Sequence, residues 1–298
     1  MSADVNRAFV QVPPSYTSSP SKPKLRLPAG ACDTHVHVFG PSDKFPFSPT
    51  RAFTPSDTPK DALFALHAML GIERCVIVQS NAHGFDNSAV ADAIAAKGGS
   101  YLGVALVPTT VAGEELRRLA AAGFRGVRFN YAHHLGRGAP IEEVIALSPR
   151  LAASGMHLQI HFEPDLLGDL APWLKRSAVP VVIDHMGRMD AAAGLDQPEF
   201  RQLLALLQDE KFHIKVSGCD RITRQGPPYA DAVPFARKLV AEFGDRPFWG
   251  TDWPHPNHTG PVPDDGVLVD IIGEIAPFER ARQALLVDNP QRFYRFGR

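Results

Sequence analysis

From residue 30 onward the chain alternates short apolar, β-branched runs with amphipathic stretches of helical length, the pattern of repeated βα units around a parallel sheet. Candidate strands fall at 31–38, 74–79, 101–106, 126–129, 157–162, 180–184, 212–216 and 247–250. Candidate helices lie near 59–70, 87–97, 113–122, 141–154, 166–177, 198–210, 229–243 and 266–275, and Gly71 and Gly123 stand where helix-terminating glycines belong. Eight such units favour a closed (β/α)8 barrel, the TIM barrel of the α/β class, over an open doubly wound sheet. No repeat of fixed spelling and no low-complexity block interrupts residues 30–298, so residues 29–298 are expected to form a single barrel domain.

Residues 1–28 break this pattern. Their run Pro13-Pro14-Ser15-Tyr16-Thr17-Ser18-Ser19-Pro20 lacks the continuous apolar region of a secretory signal and reads as an extended arm, either a strap onto a neighbouring subunit in a homo-oligomer or a loosely ordered terminus. No apolar run approaches the roughly 18 residues needed to span a bilayer. Of the 298 residues 44% are hydrophobic and 21% charged, with a formal net charge of −1, which gives no global attraction to nucleic acid or to an anionic membrane. An anionic small molecule would have to be met by locally placed Arg and His. The three cysteines, Cys32, Cys75 and Cys219, are widely spaced and odd in number, which suits a reducing cytoplasm better than a disulfide framework. Neither a Rossmann fingerprint nor a P-loop is present, so nucleotide binding is unsupported.

Chemistry enters at the strand ends, because an eight-stranded βα barrel carries its site at the C-terminal ends of its strands. A strand alternates its faces, so His35 and His37 of the first strand point the same way. An isolated His-x-His also suits two ordinary polar residues on a half-buried strand. Here the other strand ends add Ser80 and Asn81, then Arg128 with Asn130 and His134 behind it, His161, His185 and Arg188, Asp220 and Arg221, and finally Asp252 and His255. Two histidines from the first strand, a third from the fifth or sixth and an Asp from the eighth make an N3O set suited to Zn²⁺ with a position left for water. The same groups also work without a metal, imidazoles polarising a carbonyl while Asp252 activates water. The residues leave both modes open.

Three motifs in order, Asp33-Thr34-His35-Val36-His37, Asp184-His185-Met186-Gly187-Arg188 and Gly250-Thr251-Asp252-Trp253-Pro254-His255, resemble the amidohydrolase superfamily, and within it the branch of 2-pyrone-4,6-dicarboxylate lactonase and 4-sulfomuconolactone hydrolase. Phe45-Pro46-Phe47-Ser48-Pro49, Val78-Gln79-Ser80 and Asp288-Asn289-Pro290 extend the likeness. The resemblance implies a (β/α)8 barrel, with His35, His37 and His185 around a lactone carbonyl and Asp252 as general base. It also implies that Ser80, Arg128 and Arg221 hold the substrate, a task suited to the bidentate guanidinium fork.

The chain departs from the pyrone lactonase in two ways. His133-His134 replaces a Lys-Arg pair, and Phe53 and His161 stand where that enzyme uses tyrosines. Both changes, with His134 and His161 as expected substrate contacts, favour another small anionic lactone, 4-sulfomuconolactone foremost. His161 also restores a strand-five histidine used by metal-binding members, so one Zn²⁺ is expected at His35, His37, His161 and Asp252, with a metal-independent mechanism as the alternative. The expected activity is therefore hydrolysis of an anionic unsaturated lactone in aromatic-compound catabolism. The pyrone dicarboxylate, decarboxylation of an aromatic acid, or binding without turnover remain as other readings.

Overall fold

The structure, a computed structural model, describes residues 13–135 and 138–297. Residues 1–12 of the expected arm and Arg298 at the end of the expected barrel lie outside the described residues. Eight parallel strands appear in sequence order around the sheet: β1 (Cys32–Val36), β2 (Arg74–Val78), β3 (Tyr101–Ala105), β4 (Phe124–Tyr131), β5 (His157–Phe162), β6 (Val181–Ile183), β7 (Phe212–Lys215) and β8 (Pro247–Phe248). Each expected strand is present. The fourth runs longer at both ends because Phe124 pairs with Gly103 of β3 at its start and the pairing with β5 continues to Tyr131 opposite Phe162 at its end.

The ring closes between β8 and β1. Thr34 N donates to Trp249 O at 2.9 Å, Asp252 N to His35 O at 2.8 Å and His37 N to Trp253 O at 2.7 Å. This seam is what brings the start and the end of the chain into one site.

Helices α1 (Lys60–Leu70), α2 (Ser88–Ala95), α3 (Gly113–Ala121), α4 (Ile141–Ala153), α5 (Leu167–Leu174) and α6 (Pro198–Leu206) follow their strands in turn. After β7 a short turn, α7 (Cys219–Ile222), precedes α8 (Val233–Phe243). The chain then runs through α9 (Asp265–Asp270), α10 (Ile272–Ile275), α11 (Glu279–Gln283) and α12 (Asn289–Tyr294). Each main helix turns one apolar face inward, as α3 does with Leu116 and Leu119, both buried. Such a side chain contributes roughly 1.5–3 kcal/mol on leaving water, and these faces form the layer between helices and sheet. The expected helix at 266–275 is two short helices that meet at Ile271. α12, outside the eight expected units, packs Phe293 and Tyr294 against Phe248 of β8, with ring centroids 5.1 and 5.3 Å apart.

Residues 13–28 lie along their own barrel. Ser15 Oγ donates to Pro254 O at 2.5 Å, and the Tyr16 ring meets Trp253 edge-on with centroids 5.0 Å apart. Farther on, Ser21 N donates to the carboxylate of Asp264, which also caps α9, and Lys24 N and Leu25 N donate to Asp270 Oδ1. Among the described residues no helix is long and apolar enough to cross a membrane.

Candidate active site

Alternation along β1 carries Asp33, His35 and His37 to one side, and all three are buried. Asp33 is the clamp. Its Oδ1 accepts from His35 N at 3.0 Å and Thr251 N at 3.1 Å, and its Oδ2 accepts from Thr251 Oγ1 at 2.6 Å, which fastens the loop after β8 onto β1. Gly250 makes the close approach possible, since a Cβ there would lie 2.7 Å from His35 N. Two residues on, Asp252 adopts φ +66°, a left-handed conformation uncommon outside glycine and one that tends to cluster at functional sites.

The Asp252 carboxylate is the centre of the site. Its Oδ1 lies 3.3 Å from His37 Nε2, 3.6 Å from His35 Nε2 and 3.8 Å from His185 Nε2. Its Oδ2 accepts from Arg221 Nε at 2.7 Å and Nη2 at 2.6 Å. Burial alone would raise its pKa, but Arg221 and then His185 outweigh burial and hold the carboxyl well below the usual range. It is therefore ionised at neutral pH.

A second carboxylate, Asp184 after β6, accepts from Arg128 Nε and Gln159 Nε2, both at 2.8 Å, and lies 3.3 Å from His35 Nδ1 and 3.8 Å from Lys215 Nζ. Burial opposes its ionisation too, but Arg128, His35 and Lys215 keep it far down. The surrounding imidazoles go the other way. Burial, with Lys215 for His35 and Arg128 for His161, pushes both well below the normal histidine range, and burial pulls His185 down to about 4. Hydrogen bonds orient the rings. His37 Nδ1 lies 2.7 Å from Val78 O, and because a carbonyl only accepts, that nitrogen carries the proton and Nε2 presents a lone pair. His185 Nδ1 contacts Ser217 Oγ at 3.0 Å, and His161 Nδ1 contacts Asn130 Oδ1 at 3.2 Å.

Above this floor opens a cleft of about 420 Å³ whose lining includes His37, Ser80, Arg128, His134, His161, His185, Arg188, Arg221 and Asp252. Ionised carboxylate, imidazole and guanidinium groups converge on one concave surface at the C-terminal ends of the strands.

Residues 32–296 match the sequence profile named Amidohydrolase. The chain belongs to the amidohydrolase family. It is 46% identical over 288 residues to a 2-pyrone-4,6-dicarboxylate hydrolase of Comamonas testosteroni, covering 94% of each chain. It is 38% identical to a 4-sulfomuconolactone hydrolase of Hydrogenophaga intermedia, covering 90% of this chain and 89% of that one. Among solved structures, a probable 2-pyrone-4,6-dicarboxylic acid hydrolase of Acinetobacter baumannii with citric acid bound superposes with a TM-score of 0.78 at 26% identity, covering 90% of this chain and all of the other.

This amidohydrolase brings most of the nominated residues together, with three differences from the sequence reading. His35 is fully buried beneath the cleft rather than lining it. Arg221, nominated to hold substrate, is committed to Asp252 and to Pro256 O, the latter at 2.9 Å from Nη1. His161 stands apart from the expected ligand set: His35, His37 and Asp252 form one group whose ligand atoms lie within 4.8 Å of one another, and His35, Asp184 and His185 a second, with His161 in neither. Its Nε2 is nonetheless buried without a partner among the described residues at the cleft wall, as are His35 Nε2 and Asp252 Oδ1 on the floor.

Two residues escaped the sequence reading as site components, Asp184 and Lys215. Asp184 stood in a quoted motif without a role. Lys215 was signalled by strand periodicity, which sets a lysine two residues after His213 on one face of an otherwise apolar strand. Outside the cleft lining, His255 of the collected residues contacts Asp265 Oδ1 at 3.2 Å, and the nearby His83 ring lies tilted against Phe47 with centroids 4.9 Å apart.

Proposed function

We propose that this amidohydrolase opens a small, anionic, unsaturated lactone by hydrolysis, in the catabolism of aromatic compounds. The observation that carries the reading is Asp252, an ionised carboxylate held by Arg221 on one oxygen and ringed by three imidazoles on the other, at the floor of a cleft walled by arginines.

The chemistry follows from acceptors and donors. His37 Nε2, in the neutral ring, and Asp252 Oδ1 both accept and lie 3.3 Å apart, so a water bridging the pair from the cleft side gives each a hydrogen. Asp252 takes the proton as the water oxygen bonds to the lactone carbonyl carbon. The ring C–O bond then breaks, and the proton passes to the departing oxygen. His185 stands where it can hydrogen-bond the carbonyl oxygen, whose developing charge an oriented donor stabilises. Arg128, its Nε fixed by Asp184, and Arg188, fixed by Glu163 at 3.1 Å, offer the cations that hold the substrate anion, with Ser80, His134 and His161 as further wall contacts.

4-Sulfomuconolactone or a related lactone acid is the substrate proposed, because Phe53 and His161 on the wall change the surface that would meet a second carboxylate. The pyrone dicarboxylate is the second reading, favoured by the higher identity to its hydrolase. Zinc also belongs to a second reading. The grouping of His35, His37 and Asp252 favours it, and an ion held there would supply Lewis-acid polarisation. With His161 apart, the expected four-ligand set is incomplete, and the steps above use the side chains alone. We further propose that residues 29–298 act as one catalytic unit. The three cysteines, all free and buried, support work in a reducing cytoplasm.

The test is ring opening of both lactones by the purified chain, with CO₂ release followed in the same reactions and metal content measured before and after chelation. Asp252→Asn should cost about 10²–10⁴-fold in kcat with the circular dichroism spectrum unchanged. Release of CO₂ without ring opening would assign a decarboxylase, and activity lost on chelation and restored by zinc would assign the metal-dependent route.

A further inference from the structure

Lys215 is wholly buried in the barrel interior, at the end of β7. Its Nζ donates to Thr34 O at 2.8 Å and contacts His35 Nδ1 at 3.3 Å, with Asp184 Oδ1 at 3.8 Å. Taking an ammonium out of water costs several kcal/mol, and an apolar side chain of similar volume would fill the space at no such cost. Asp184 is not left to this cation alone, since Arg128 donates to one of its oxygens and Gln159 to the other. The contact that remains unexplained by packing is the one to His35.

We propose that Lys215 is a positioning residue that fixes the tautomer of His35, so that the two histidines of the first strand present opposite hydrogen-bonding senses to Asp252. The proposal rests on the lactonase reading for its consequence in turnover, but not for the tautomer itself. An ammonium has only donors, so the ring nitrogen facing it presents a lone pair, and a neutral imidazole must then carry its proton on Nε2. That nitrogen faces Asp252 Oδ1 from 3.6 Å, just beyond hydrogen-bond distance, and has no partner among the described residues. His37 is fixed the other way by Val78 O, with its lone pair on Nε2. One imidazole therefore points an N–H at the proposed base while the other offers a lone pair to the water that the base would activate.

Asp184 Oδ1 competes for His35 Nδ1 at 3.3 Å. A proton placed there would turn its N–H toward that oxygen, which Gln159 also engages, but the ammonium hydrogens of Lys215 confront the same nitrogen and oppose it. Removing the ammonium reverses the balance: Asp184 then takes the Nδ1 proton, and His35 Nε2 becomes a lone pair like that of His37. Two imidazole lone pairs and a carboxylate oxygen are what a divalent cation takes. Lys215 thus sets the donor pattern of the floor against cation binding.

The test compares the full-length wild type with Lys215→Met and Lys215→Arg. In ¹⁵N-histidine NMR spectra the wild-type His35 resonances should be those of an Nε2–H imidazole, changing to Nδ1–H in Lys215→Met. Zinc affinity, read by competition with a chromogenic chelator, should rise about tenfold or more in Lys215→Met and stay at the wild-type level in Lys215→Arg, whose guanidinium is also donor-only. On an anionic lactone, Lys215→Met should lower kcat roughly a hundredfold while KM stays within about twofold. An Nδ1–H His35 in the wild type, or equal zinc affinity in folded wild type and Lys215→Met, overturns the proposal. If Lys215→Met fails to fold, the wild-type spectrum still decides the tautomer. Neither the spectrum nor the zinc titration involves a substrate, so a wild type that opens no lactone would overturn the lactonase reading and leave the tautomer assignment standing.

Discussion

Arg221 holds Oδ2 of Asp252 through two nitrogens at 2.7 and 2.6 Å, and this pairing decides how the proposed base titrates. Burial works to protonate the carboxyl, and Arg221 is the largest influence opposing it. In Arg221→Met that influence is gone, so the carboxyl protonates at higher pH. The acid limb of the pH profile of kcat/KM should shift upward, with activity recovering toward alkaline pH. A limb that stays in place while activity falls uniformly would return Arg221 to the role of substrate contact that its position in the sequence suggests. Arg128→Met should differ in kind. It should weaken use of an anionic substrate by roughly 2–5 kcal/mol in kcat/KM without moving the limb, because Arg128 pairs with Asp184 rather than Asp252 and is proposed to meet the substrate anion.

At the scale of elements, the seam between β8 and β1 is the part of the barrel on which the site depends. β8 has only two residues, so the closure relies on the loop behind it: Asp33 bonded to Thr251, and the backbone bonds of His35 and His37 to Asp252 and Trp253. Gly250→Ala puts a methyl 2.7 Å from His35 N and 2.9 Å from Asp33 Oδ1, neither of which is the free end of a flexible chain. The seam must open to admit it. The expected result is a stability loss of about 1–3 kcal/mol, measured by urea denaturation, with a larger proportional loss of kcat. The arm adds a second tie across the same loop through Ser15 and Tyr16, so the described part of the N-terminal segment braces the base-bearing loop of its own chain.

For the whole molecule, buried histidines and carboxylates couple folding to pH in one direction. Burial pulls His157 down to about 3 and His185 and His213 to about 4, against about 6.5 in an unfolded chain. As pH falls below about 6.5 the unfolded chain binds protons that the folded one refuses, so stability declines from there toward pH 3–4. Asp184 and Asp252 are shifted below the ordinary carboxylate range, so the stability they contribute is present above about 3.9 and is lost as pH falls through their lower folded values. His255 and Asp220, both raised, run the other way and only soften the slope. Melting temperature should therefore fall steadily on acidification from neutral pH. A flat profile between pH 7 and 4 would show that these histidines are accessible to protons in the folded state.

The sequence by itself determined the eight-unit barrel, the end at which its site lies and the residues that meet there, because apolar periodicity and strand alternation are local properties carried by each segment. His35, His37, Ser80, Arg128, His185 and Asp252 could be gathered without coordinates, since every C-terminal strand end of such a barrel faces one cleft. The sequence could not tell who pairs with whom. Arg221 pairs with Asp252 while lining the cleft, His161 lies outside the two tight donor groups found among the described residues, and Lys215 is buried against His35. Those outcomes depend on distances of 3 to 4 Å across strands far apart in the chain. Such distances are set by strand register and by the closure between β8 and β1. A shift of one residue in either would turn these side chains to the other face, and only the tertiary structure fixes that choice.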